Sequence, residues 1–221
     1  MAARDSRVSA VQLFGLVTLD GGHGGPSGVG GLEGVRVVPF RDVGAVIRDA
    51  AYVRLRPSPE RVRDFRRVVE AAFSERTILP APFGAVFRSH DDLARWFELH
   101  YFTLVDALAY VEDRAMSRVR LSPLEMPSVA DTGELSVKVA DLDTSAAESF
   151  RLLRRHAVAS IPVPHKPADG ASAQASFLVE RERWNAFADV VKEESKRFPE
   201  LLIEQTGPWP PYDFVRMEFG S

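Results

Sequence analysis

In the second half of the chain the hydrophobic period keeps switching, and the order of those switches constrains the fold more than any other feature. Residues 115–121 alternate as a strand. Ser145 and Glu148 form a capping box for a helix through about Arg155. Residues 158–163 and 173–179 read as strands, divided by the turn-rich stretch PHKPADGAS. Trp184, Phe187, Ala188, Val191, Ser195 and Phe198 then recur at helical spacing until Pro199, and residues 201–204 read as a strand. Strand, helix, strand, strand, helix, strand is the βαββαβ order of a ferredoxin-like sandwich, whose helices cover one sheet face. Between the first two elements, residues 122–144 are proline- and acid-containing and weakly helical, with a short strand expected at 135–139.

The first half is organised differently. Residues 11–17 are β-prone and apolar on both faces, which predicts a central strand. A glycine-rich connector follows, then strands at 35–40, 44–48 and 52–56, the last ended by Pro57. Ser58 caps a helix with Pro59 at its first position, and Val62, Phe65, Val69, Ala72 and Phe73 make its apolar stripe. Pro80 and Pro82 interrupt TILPAPFGAVF. Ser89 caps a second helix, whose inward stripe is read as Leu93, Trp96, Phe97, His100, Phe102, Leu104, Leu108 and Val111. The expected architecture is α+β in two domains: an N-terminal α+β domain at 1–114 and a C-terminal modified ferredoxin-like domain at 115–221. Each is long enough for its own core.

Composition narrows the function classes. A formal charge of −3 over 221 residues points to neither nucleic acid nor an anionic membrane as partner. Cysteine is absent, which excludes a disulfide scaffold and a thiolate metal site. Arg4 and Arg7 precede an apolar stretch in the loose manner of a secretory signal. That stretch carries Ser9, Gln12 and Thr18 and lacks a small-x-small cleavage site. No apolar run approaches the ~20 residues of a membrane-spanning helix. The default compartment is the cytoplasm.

The usual chemical motifs are missing. GVGGLEG at 28–34 contains G-x-G, but its third glycine falls one position late and a strand follows instead of a helix. His23, His90, His100, His156 and His165 are scattered, with no metal-ligand spacing. Asp141 and Asp143 lack the glycine and closing glutamate of a calcium loop, and a helix-capping loop accounts for them better. The arginines at 54, 56, 61, 63, 66 and 67 are diluted by Glu60 and Asp64 and read as a solvated face. No G-x-S-x-G element appears. No catalytic residue, cofactor site or metal site is expected, and the chain is read as a non-enzyme.

One short segment stands out. TGPWPPYDF, residues 206–214, holds three prolines, a tryptophan and a tyrosine in nine positions. Its prolines fix φ and cannot donate to a ladder, so a rigid turn lifting Trp209 and Tyr212 off the last strand is expected. Residues 213–219 alternate and are expected to return as an edge strand. Tryptophan and tyrosine are enriched at interface hot spots, so Trp209, Pro210, Pro211, Tyr212 and Phe214 are the candidate protein-contact residues.

TGPWPPYDFV resembles the closing motif of the GvpF/GvpL family of gas vesicle proteins. TILPAPFGAVF, the LFGLV strand at 13–17 and SFLVERERWNAF at 176–187 are similar to other elements of that family, so the likeness covers nearly the whole chain. Two departures stand out: Pro82 occupies a place where the family often has arginine, and residues 122–144 are shorter than the family's usual charged helical extension. The resemblance implies two α+β domains and a role in building gas vesicles, as a minor structural component or assembly factor. The implied partners are the hydrophobic shell protein and other accessory proteins, and the implied location is the gas vesicle. A small-molecule-binding or enzymatic ferredoxin-like protein is the alternative. A nucleic-acid-binding sheet is less suited, since SFLVERE and LLIEQT carry acids.

Overall fold

The computed structural model describes residues 10–19, 28–124, 132–164, 172–215 and 217, with backbone alone for 132–141. The chain divides into two compact units, Met1–Glu112 with Pro210–Ser221, and Asp113–Trp209. The segment after Trp209, expected to belong with the second half, groups with the first unit.

The first unit is built on an antiparallel sheet of β1 (Ala10–Thr18), β2 (Val35–Phe40), β3 (Val43–Ala50), β4 (Ile78–Pro80) and β5 (Val86–Phe87). Its order is β2-β3-β1-β4, with β5 also paired to β1. Strand β1 is therefore interior, which is why it is apolar on both faces. It contains a bulge: Leu13 pairs with Ile47 but Gly15 with Val46, which leaves Phe14 as the extra residue. The bulge changes which residues face which side. Val11, Leu13 and Leu16 join a core with Phe97, Leu104 and Leu108 of helix α2 (His90–Val111). Phe14 instead stacks on Phe65 of helix α1 (Pro59–Glu75) at 5.5 Å. Gly15 lies so close to β4 that a Cβ would sit 2.7 Å from Ile78 Cδ1 and from the Leu79 carbonyl oxygen.

Both helices start where their caps direct. Ser58 accepts from the Arg61 amide at 3.3 Å and Ser89 from the Asp92 amide at 3.1 Å. Three local expectations differ from the structure. Residues 52–56 form no strand, because Arg54 and Arg56 offer no buried face beside exposed Tyr52 and Val53. The proline-broken segment supplies two short strands, since Ala81 N donates to Phe14 O and Ala85 O accepts from Leu13 N, both at 2.9 Å. Phe102 and His100 point outward from α2; its buried residues are Leu93, Phe97, Leu104, Leu108 and Val111.

The second unit runs β6 (Arg114–Pro123), α3 (Thr132–Leu153), β7 (Ala159–Val163), β8 (Ala173–Glu180), α4 (Trp184–Arg197) and β9 (Leu201–Trp209). The sheet order is β7-β8-β6-β9 and every pair is antiparallel. Val119, Leu121, Ala175, Phe177 and Val179 occupy alternate positions and meet Leu142, Ala146 and Leu153 of α3 and Phe187 and Val191 of α4. Phe177 is fully buried, 6.0 Å from the Phe150 ring and 5.4 Å from Phe187.

Helix α3 begins well before the expected capping box and takes in the expected strand at 135–139. Ser145 is therefore mid-helix, and Asp141 and Asp143 lie within the helix instead of in a capping loop. Glu148 reaches across to Arg197 of α4, its Oε1 2.6 Å from Nη2. The same guanidinium holds Glu194, a nearly buried carboxylate, at 2.8 Å. Glu148 thus pairs with α4 instead of closing a local cap, and residues 132–144, read as weakly helical, belong to one helix with the segment after them.

Candidate functional site

TGPWPPYDF is divided between the two units. Its first part closes β9 on the edge of the second sheet. Met116 pairs with Trp209 and Arg118 with Thr206, so β9 carries an extra residue where Gly207 and Pro208 face Ser117. A proline at an edge-strand bulge removes no needed donor. This corrects the expected early stop: the ladder runs past the proline to Trp209. Gly207 has φ +125°, and a Cβ there would meet the Met116 carbonyl oxygen at 2.7 Å and Trp184 Cη2 at 2.9 Å. The Gly207–Pro208 peptide is cis.

The buried Ser117 hydroxyl accepts from Gln205 Nε2 at 3.1 Å, which ties the strand just before the bulge. Trp209 Nε1 donates to Thr206 Oγ1 at 3.2 Å. Both therefore lie on one side of the sheet, opposite the helices, in the row that contains Arg118. The indole remains 38% exposed with its polar edge satisfied.

The rest of the motif belongs to the first unit. Pro210 and Pro211 are buried, and Tyr212 and Phe214 are half-buried. Tight turns join them: Tyr212 N donates to Pro210 O at 2.7 Å and Phe214 N to Pro211 O at 3.2 Å. Burial, then the nearby negative charge of Glu70, pushes the Tyr212 phenol well above its ordinary range, against a smaller opposing effect of Arg66. Its hydroxyl has no hydrogen-bond partner among the described residues. The expected edge strand at 213–219 does not form among the described residues there; Val215 and Met217 pack into the core beside α2 instead. Of the five contact candidates, Trp209 alone is exposed.

The remaining candidates stay apart. His90 lies beside Arg36 and Asp49 on the surface, where the Arg36 hydrogen bond chiefly lowers the Asp49 carboxyl. His100 and His156 are exposed, while His23 and His165 lie outside the described residues. Among the described residues no group of three or more His, Asp or Glu is placed to hold a metal. Strand β2 follows the glycine stretch, and the Gly30 amide donates to Glu75 at 2.7 Å. Pro82 is exposed and its carbonyl accepts from the Ala85 amide at 3.2 Å, closing a turn where an arginine was expected in relatives. Sequence reading missed Leu99, 81% exposed on α2. Its place off the buried helical stripe was the available signal.

These features define a mixed α and β protein with two antiparallel sheets. No catalytic constellation is assembled among its described residues. The fold is known. The crystal structure of GvpF from Anabaena sp. superposes with a TM-score of 0.77 at 17% identity, covering 96% of this chain and 100% of that one. GvpF from Microcystis aeruginosa gives 0.65 at 15% identity, covering 93% and 98%. In sequence the chain is 29% identical to gas vesicle protein F1 of Halobacterium salinarum, over 88% of this chain and 87% of that protein. It is 25% identical to gas vesicle protein F of Haloferax mediterranei, over 88% and 87%. The pattern of the gas vesicle synthesis protein GvpL/GvpF family matches residues 10–151 and 139–216. The chain belongs to that family, and its role is that of a gas vesicle accessory or structural protein.

Proposed function

We propose that the chain acts by binding, without catalysis, as a minor component or assembly factor that holds the hydrophobic shell protein and other accessory proteins during gas vesicle formation. The observation that carries this reading is Trp209, an exposed indole fixed on an edge strand by a bulge and an internal hydrogen bond. A large side chain held in place loses little entropy when a partner covers it. The reading includes two folding domains, of which Asp113–Trp209 is a ferredoxin-like sandwich. Its support is the strand order, with the first strand interior beside the third and with the second and fourth at the edges. It places the protein in the cytoplasm, on or at gas vesicles. No helix among the described residues is long and apolar enough to cross a membrane, which is compatible with that location.

The test is co-expression with a gas vesicle shell protein and affinity pull-down. The expected result is retention by the wild-type chain and a loss of about tenfold for Trp209→Ala. No retention by the wild type sinks the binding function; equal retention by both removes Trp209 from the contact.

A further inference from the structure

Helix α2 carries large apolar side chains on its solvent side. Leu99 is 81% exposed, Phe102 79% and Tyr110 40%. Leu99 and Phe102 are neighbours at helical spacing, so they form one patch instead of scattered exposure. One turn before Leu99's neighbour His100, Trp96 lines an open hollow of ≈ 370 Å³ with Pro82, Phe83, Val86 and Phe87. From Trp96 to Tyr110 the stripe is about 21 Å long, the length of a four-turn helix.

The charge that α2 itself carries around this stripe is mostly acidic, with Arg41 of the β2–β3 turn close by over the Tyr101 ring at 4.5 Å. Glu98 and Asp106 each stand one turn from Phe102, and Asp106 one turn from Tyr110. Asp91 is exposed nearer the helix start. The helix's one guanidinium, Arg95, is drawn to Asp92 at 3.6 Å. We propose that this face docks a basic amphipathic helix of a partner protein. The partner's apolar side would cover Leu99 and Phe102 and place a side chain in the hollow, while its lysines or arginines would meet Glu98 and Asp106. A second copy of this chain fits poorly, because two acid-rimmed stripes would repel, and an anionic membrane fails for the same reason. This inference rests on the reading that the chain works by holding other polypeptides, and it names a surface separate from Trp209.

The probe is a leucine–lysine peptide of about 18 residues in helical register, somewhat longer than the stripe so that its ends fray beyond it. Two controls accompany it: a copy with glutamate for lysine, and a peptide of the same composition with the helical spacing scrambled. Full-length protein should bind the first peptide at least tenfold more tightly than either control. Leu99→Ser with Phe102→Ser should cost at least tenfold, and so should Asp106→Lys. These are exposed positions, and circular dichroism checks that the variants fold. Unchanged binding by the double variant overturns the proposal, as does no binding by the wild type. A wild-type dimer that the double variant converts to monomer in sedimentation also overturns it, in favour of self-association. Wild-type protein that binds the peptide but retains no shell protein leaves this surface standing and sinks the function above. Retention of shell protein without peptide binding does the reverse.

Discussion

At Gly207 two demands meet: a φ of +125° and a backbone so close to Met116 and Trp184 that a Cβ has no room. Either demand alone favours glycine. Together they let β9 bulge and carry Trp209 to the edge with its indole nitrogen bonded to Thr206. Gly207→Ala is expected to cost about 2–4 kcal/mol in a urea titration. It should also change the intrinsic fluorescence as Trp209 and Trp184 shift. Tyr212 presents the opposite case. Its ring contributes to packing, but its buried hydroxyl makes no hydrogen bond among the described residues. Removing a polar atom that gains nothing from burial is close to neutral or stabilising. Tyr212→Phe should therefore leave the thermal midpoint unchanged or slightly raised, whereas Tyr212→Ala should lower it.

At the scale of elements, β1 shows how one extra residue lets a single strand serve two helices. The bulge at Phe14 sends that ring to α1 and keeps Val11, Leu13 and Leu16 with α2. Helix α3 starts thirteen residues before the Ser145 box, and its later turns are held by contacts with α4 and the sheet. Phe177 is the residue on which that packing converges. Phe177→Ala removes a fully buried ring between Phe150 and Phe187 and should destabilise the second unit by about 3–5 kcal/mol. Urea unfolding followed by far-ultraviolet circular dichroism measures it. A loss below about 1 kcal/mol would mean the cavity collapses and the ring is not central.

For the whole molecule, the decisive fact is where the last residues go. Val215 and Met217 pack into the core of the first unit, far in sequence from β1 and α2. Ending the chain after Trp209 should thus weaken the first unit and spare the second. Hydrogen exchange would speed in β1 and α2 and stay unchanged in β8; faster exchange confined to β8 would refute this. Much of the rest was legible in the residues. Ser58 and Ser89 act where their types act, because a capping hydroxyl needs only the next turn of backbone. The two-sided apolarity of residues 11–17 marked an interior strand, since only burial on both faces tolerates it. The TGPWPPYDFV motif and its companions pointed to the family that the comparisons show. Phe102 was read inward, yet points to solvent; two residues from Leu104 and five from Phe97, it lies off the buried stripe, so strict helical spacing would have placed it outside. Other features depended on residues distant in sequence. Pro208, which seemed to end β9, sits at a bulge, and the alternation after Tyr212 serves a core instead of a sheet edge. Local spacing specifies caps and strand character on its own; the choice of partner comes from contacts made only when the chain folds.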